Sequence, residues 1–219
     1  MNLFKETTWL LRKEIMLEWR QRYAISGILL YVLSTVFIVY ISFQRIGPQL
    51  WNVLFWIIML FASVNAVVKS FVQESGHRQL YYYQLAGPIA VLLSKMIYNA
   101  GLLLLLSGLT FGALCFIAGN PVEQSGTFAL ALFLGSLGFS ITFTFVSAIA
   151  AKADNSSTLM AILSFPVVIP VLLLLVNLSA HAIGLLQGTM IGRDIMMLAA
   201  VDLILIALGL VLFPYLWRD

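Results

Sequence analysis

Six stretches of this chain run apolar for about twenty residues or more, the length a helix needs to cross a hydrocarbon core. They cover residues 24–43, 50–68, 89–118, 127–151, 158–178 and 195–217. Of the 219 residues, 62% are hydrophobic and 10% charged, against about 45–50% and about 25% in soluble domains. A soluble enzyme is excluded, and too few residues remain for a soluble domain beside the membrane part. Spanning β-strands would be about ten residues long and alternate with period two. These runs are twice that length and apolar on every side, so helices are the spanning element. The expected fold is an all-α membrane protein of six transmembrane helices, one membrane domain over residues 1–219. No internal repeat or low-complexity linker divides it.

Charge sets the expected orientation. With the N-terminus inside, ten of the twelve Lys and Arg residues fall in cytoplasmic segments; only Arg45 and Arg193 fall outside. By the positive-inside rule both termini face the cytoplasm. The basic residues that give a net charge of +3 flank apolar runs rather than forming a soluble patch, so topology explains them and no nucleic-acid partner is implied. Lys95, near the start of the third run, is expected where that helix leaves the headgroups, with tilt or an out-of-membrane turn absorbing the excess length. The single cysteine, Cys115, allows no intramolecular disulfide and no cysteine-based metal site. The chain opens with no secretory signal peptide.

Residues 1–23 precede the first span. Phe4, Thr8, Leu11, Ile15 and Trp19 recur there at spacings of three and four, widened by Leu10 and Leu17, while Lys5, Arg12, Lys13, Glu14 and Glu18 lie mostly on other faces. This is an amphipathic helix suited to the inner headgroup layer. Two readings stay open: a topology anchor, or a surface helix that transmits motion from a cytoplasmic partner.

Residues 70–88 form the longest hydrophilic insertion between spans. Its first half is polar (Gln73, Glu74, His77, Arg78, Gln79), its second aromatic (Tyr81, Tyr82, Tyr83), and it returns to the membrane through Gly87-Pro88. A short helix lying at the inner interface would present Glu74 and Arg78, spaced i, i+4, to the cytosol. A solvated loop with a tyrosine belt and a docking element for a soluble motor both fit.

The order of parts resembles the membrane subunit of an ABC transporter of the ABC-2 kind. More narrowly it resembles the heme exporter protein B family (CcmB) of the cytochrome c maturation system, over nearly the whole chain. The best local matches are Phe71, Glu74 and Leu80 in the inner loop and the Ser-Phe-Pro-Val-Val-Ile-Pro run that holds Pro166 and Pro170. The resemblance implies a permease of the bacterial inner membrane that works with a separate ABC ATPase subunit and with heme-handling membrane proteins. ATP is then bound by the partner, and heme is cargo. It also implies that Glu74, Gly76, His77, Arg78, Leu80 and Tyr81 dock the ATPase. The chain departs from the family where acidic residues and a glycine usually flank the Leu80 position; His77, Arg78 and Tyr81 stand there, so the partner's surface should differ.

Within the spans, Pro166 and Pro170 share one face of the fifth helix, and each removes a backbone donor. They read as a fixed kink or as a hinge. Asp202 lies about seven residues into the last span; an acid there must face protein or water, as a structural partner or as the lining of a gate. Asn65 and Asn99 read as interhelical hydrogen bonds. Gly101, Gly108, Gly112 and Gly119 form one small-residue stripe and Ser136, Ser140, Thr144 and Ser147 another, both read as close packing, with a homodimer contact as the alternative. His181, in the outer segment, is the candidate heme contact.

No Gly-x-x-x-x-Gly-Lys-Ser/Thr run, no His-Glu-x-x-His and no Cys-x-x-Cys-His occurs, so neither ATP binding, zinc proteolysis nor covalent heme attachment is expected of this chain. It is expected not to be an enzyme. The rival readings are a generic ABC-2 permease for a lipid, drug or polysaccharide, and a non-transporting membrane scaffold.

Overall fold

The computed structural model describes residues 3–20, 22–42, 46–67, 86–151, 156–186 and 191–218. Among them lie seven helices and no strand. These are α1 (Leu3–Arg20), α2 (Arg22–Ser42), α3 (Pro48–Val67), α4 (Pro88–Ala118), α5 (Ser125–Ala150), α6 (Ser156–Ala182) and α7 (Ile191–Arg218). The all-α expectation holds for the described residues. Five helical stretches are long and apolar enough to cross a membrane: Pro48–Val67, Pro88–Ala118, Ser125–Ala150, Ile162–Ala182 and Ile191–Tyr215. The first expected span corresponds to α2, whose described apolar part, Ser26–Ser42, is shorter than these five.

The side chains are distributed as lipid demands. Large apolar residues point outward, among them Leu105, Phe116, Leu203 and Leu30, while Ser63, Ser107, Thr110, Ser140, Thr144 and Ser147 are buried. Lipid tails solvate Leu and Phe but offer nothing to a hydroxyl, so helices turn small polar residues toward one another. The serine-threonine stripe of α5 follows this rule. Ser140 donates to the Met96 carbonyl of α4 at 2.7 Å, and Asn99 of α4 donates to Thr144 Oγ1 at 2.8 Å. Asn65 does not: it lies on an exposed face of α3 and donates to the Phe61 carbonyl of its own helix.

The glycine stripe of α4 differs from expectation too. A Cβ at Gly101, Gly108, Gly112 or Gly119 would meet nothing within 4 Å. The close approaches are made instead by α5: a Cβ at Gly135 would lie 2.8 Å from the Trp56 ring, and one at Gly138 2.7 Å from Asp202. Spacing shows that small residues share a face; it does not show what covers that face.

An aromatic column joins α3, α4 and α5. Trp51 stacks on Phe55 (5.7 Å between centroids, 4° between planes) and meets Phe111 edge-on at 6.0 Å. Trp56 contacts Phe55 and Phe139 edge-on, and Phe139 continues to Phe143. These edge-to-face contacts follow the ring quadrupoles. Trp56 Nε1 donates to Ser179 Oγ at 2.7 Å, which lies 2.6 Å from Asn52 Oδ1, and Asn52 Nδ2 donates to the Val176 carbonyl. α3 and α6 are thereby pinned at the end of the bundle that carries His181.

That end is also closed by backbone. Gly184 takes φ 75°, its N–H reaches the His181 carbonyl and the next N–H, of Leu185, reaches Ala180. This paired pattern caps a helix C-terminus and requires the left-handed conformation that glycine adopts freely. The Ala182 carbonyl accepts from both Glu123 and Gln124, so the α4–α5 connection docks on the end of α6.

Because Trp56 is held by rings on two sides and by its N–H, it cannot yield to a new methyl group. Gly135→Ala should lower stability by about 1–3 kcal/mol, the usual cost of overpacking. Gly108→Ala should cause no loss. Thermal unfolding midpoints of the two variants in the same detergent check the contrast; equal midpoints would contradict this packing.

Candidate functional site

α1 is clasped along the first turns of α4. Glu14 Oε1 lies 3.3 Å from Lys95 Nζ, and the two side chains are 13% and 2% exposed. Glu18, one turn on, hydrogen-bonds to Tyr98, one turn on along α4. At the other end of α1 the Glu6 carboxylate approaches Gly87, the residue before Pro88. The pairs 6 with 87, 14 with 95 and 18 with 98 keep nearly constant offset, so the two helices run side by side in the same direction. A carboxylate beside the first turn of α4 also suits the positive end of that helix.

Lys95, expected where α4 leaves the headgroups, is buried and paired with Glu14 of α1. α4 is one unbroken helix of 31 residues, about 46 Å long at about 1.5 Å per residue, longer than a bilayer core requires. The face of α1 that packs on the protein carries Thr7, Leu10 and Glu14, while Phe4 and Ile15 of the apolar stripe are exposed, as are Trp9 and Met16. The Trp19 side chain lies outside the described residues. The ion pair with buried Lys95 turns the Glu14 face of α1 toward α4.

The segment that leads into this clasp holds Glu74, Gly76, His77, Arg78, Leu80 and Tyr81, all outside the described residues. What is described is where the segment ends, at Gly87-Pro88, directly on α4 and against Glu6.

At the opposite end His181 is a buried residue in the last turn of α6, not a loop residue. Its Nδ1 lies 3.1 Å from the Leu186 carbonyl and its Nε2 3.4 Å from Asp194 Oδ2. Both ring nitrogens thus face partners inside the chain, and a ligand to His181 would have to displace one. Among the described residues no cluster of His, Cys, Asp and Glu could hold a metal ion.

The prolines lie on the outer face of α6, which stays helical through both. Just before Pro166, Ser164 and Phe165 line an apolar groove with Leu60, Phe61, Val64, Phe143 and Val168. Asp202 is buried where α5, α6 and α7 meet, beside Gly138, and Val171 packs on the same glycine. Neither of its carboxyl oxygens has a hydrogen-bond partner. The structural partner expected of it is therefore absent among the described residues. An ionised acid at such a depth costs roughly 2.5–3.5 kcal/mol on insertion scales.

Sequence reasoning missed Glu14, Glu18 and Lys95 as a unit. The signal was present in part: an i, i+4 acid pair on an otherwise basic helix, and one lysine inside an apolar run. Glu14→Gln should remove the charge facing Lys95 and cost about 2–3 kcal/mol, somewhat under the full value for a buried pair because Glu14 is partly exposed. Denaturation of the purified variant in detergent, with Glu6→Gln as the weaker control, checks this.

A search among curated proteins returns no match. The family model described as CcmB protein matches residues 5–215, from Lys5, the third residue of α1, to Tyr215 in the last turn of α7. The resemblance read from the inner loop and the fifth span therefore holds over nearly the whole length, and the chain belongs to the CcmB protein family.

Proposed function

We propose that this chain is the membrane subunit of an ABC-type complex that exports or delivers heme for c-type cytochrome biogenesis. Heme is its cargo, not a resident cofactor. It sits in the bacterial inner membrane with six spans, α2 being the first, and with both termini in the cytoplasm. The family match over residues 5–215 carries the reading; five long apolar helices with a polar interior support it.

A separate ATPase subunit supplies ATP hydrolysis and docks on Glu74, Gly76, His77, Arg78, Leu80 and Tyr81. The clasp gives such docking a mechanical consequence. Residues 70–88 lead without a linker into α4, and α1 is fixed to the same turns through Glu6, Glu14 and Glu18. Force applied there is carried along a single helix of 31 residues to the far end of the bundle. Pro166 and Pro170 act as the hinge through which α6 follows. The exposed apolar residues of α1, Phe4, Trp9, Ile15 and Met16, rest in the inner leaflet. Heme-handling membrane proteins receive the cargo on the outer side.

Heme staining of membrane proteins from a strain that lacks the gene tests the reading. Covalent heme bands should disappear and return with a plasmid copy; normal bands would reject it. Replacing Glu74 and Arg78 together should abolish co-purification of the ATPase while leaving the protein in the membrane, and unchanged co-purification would sink the docking surface.

A further inference from the structure

We propose that Asp202 is a proton-binding site of the helical bundle: its side chain sits at the α5–α6–α7 junction as the neutral acid at neutral pH. The proposal does not depend on the cargo.

Three observations carry it. The carboxyl is 6% exposed, and both its oxygens lack a hydrogen-bond partner. It is pressed against backbone, since a Cβ at Gly138 would lie 2.7 Å from Oδ1 and 2.9 Å from Val171 Cγ1. One turn further along α5, Thr142 buries a second oxygen without a partner.

A buried carboxylate persists only with a cation or several donors around it, and among the described residues the neighbouring helices offer no cation within reach. α5 has no ionisable side chain. α6 has His181, which faces Asp194. The ionisable groups of α4 are Lys95, Tyr98 and Cys115. Lys95 holds Glu14 at 3.3 Å, and Met96 beside it packs at Gly209, seven residues or about 10 Å along α7 from Asp202. On α7 itself Arg193 is about 13 Å and Arg218 about 24 Å away along the axis, with Asp194 and Tyr215 near those ends. Among the described residues nothing compensates a negative charge at residue 202. A proton does so at no cost in space.

Loss of that proton would require water at the junction, against Val171 and hence beside Pro170. Proton exchange at Asp202 is thereby tied to the part of α6 whose backbone hydrogen bonding is already interrupted.

Infrared spectroscopy of the full chain in lipid nanodiscs tests this. The wild-type protein at neutral pH should show the carbonyl stretch of a protonated carboxyl, and aspartate with a heavy carboxyl carbon should shift that band. Asp202→Asn should abolish it, whereas Asp194→Asn should leave it. The isotope experiment uses only the native chain, so it decides the matter even where a variant fails to fold. A wild-type spectrum with no aspartic acid band at neutral pH, or a band that survives in Asp202→Asn, would overturn the proposal.

Discussion

A polar side chain inside lipid finds partners only within the protein, and α5 is built around that constraint. Its inward face carries Ser136, Ser140, Thr144 and Ser147, all buried, and its two close-approach glycines, Gly135 and Gly138, receive Trp56 and Asp202. α4 supplies a carbonyl and an amide to the hydroxyls, α3 lays its aromatic column on the same helix, and α6 and α7 close the remaining sides. Single interhelical hydrogen bonds in membranes average about 0.6 kcal/mol. Position, more than the strength of any one bond, is what they settle: a helix rotated by one residue would present Leu or Phe where a hydroxyl is needed.

The clasp between α1 and α4 obeys a different rule. Glu14 and Lys95 are opposite charges taken largely out of water, an arrangement that is weakly stabilising as a whole and costly to break by halves. Its value lies in register. Charge pairs fix one helix against another to within a residue, and here they fix α1 to the turns that follow residues 70–88. An apolar stripe alone would leave α1 free to slide or roll.

Five of the six expected spans were legible because apolar length is a direct consequence of bilayer thickness, and the stripe on α5 was legible because hydroxyls in lipid have nowhere else to go. Three things were not. The glycines of α4 and of α5 look alike in sequence; only packing shows that Gly135 and Gly138 meet neighbours and Gly101 and Gly108 do not. The partner of Glu14 was not legible because periodicity weighs hydrophobicity and is blind to one buried lysine eighty-one residues away. His181 read as a loop residue because the apolar run ends before it, yet α6 continues to Ala182 and the Gly184 cap fixes its last turn.

These constraints leave α6 unevenly held. Near His181 it is tied by the Ser179 network, the glycine cap and the two bonds from Glu123 and Gln124. In its middle, Pro166 gives no N–H to Ile162 and Pro170 none to Pro166, so two carbonyls lose their helical donors within one turn. The same stretch faces the Asp202 junction on one side, through Val171, and opens on the other to the groove that begins at Ser164. Covalent structure, packing and charge all place the weakest part of the helix at one level. A change that begins at either end of the bundle would find least resistance there, beside the carboxyl of Asp202 that α5, α6 and α7 enclose.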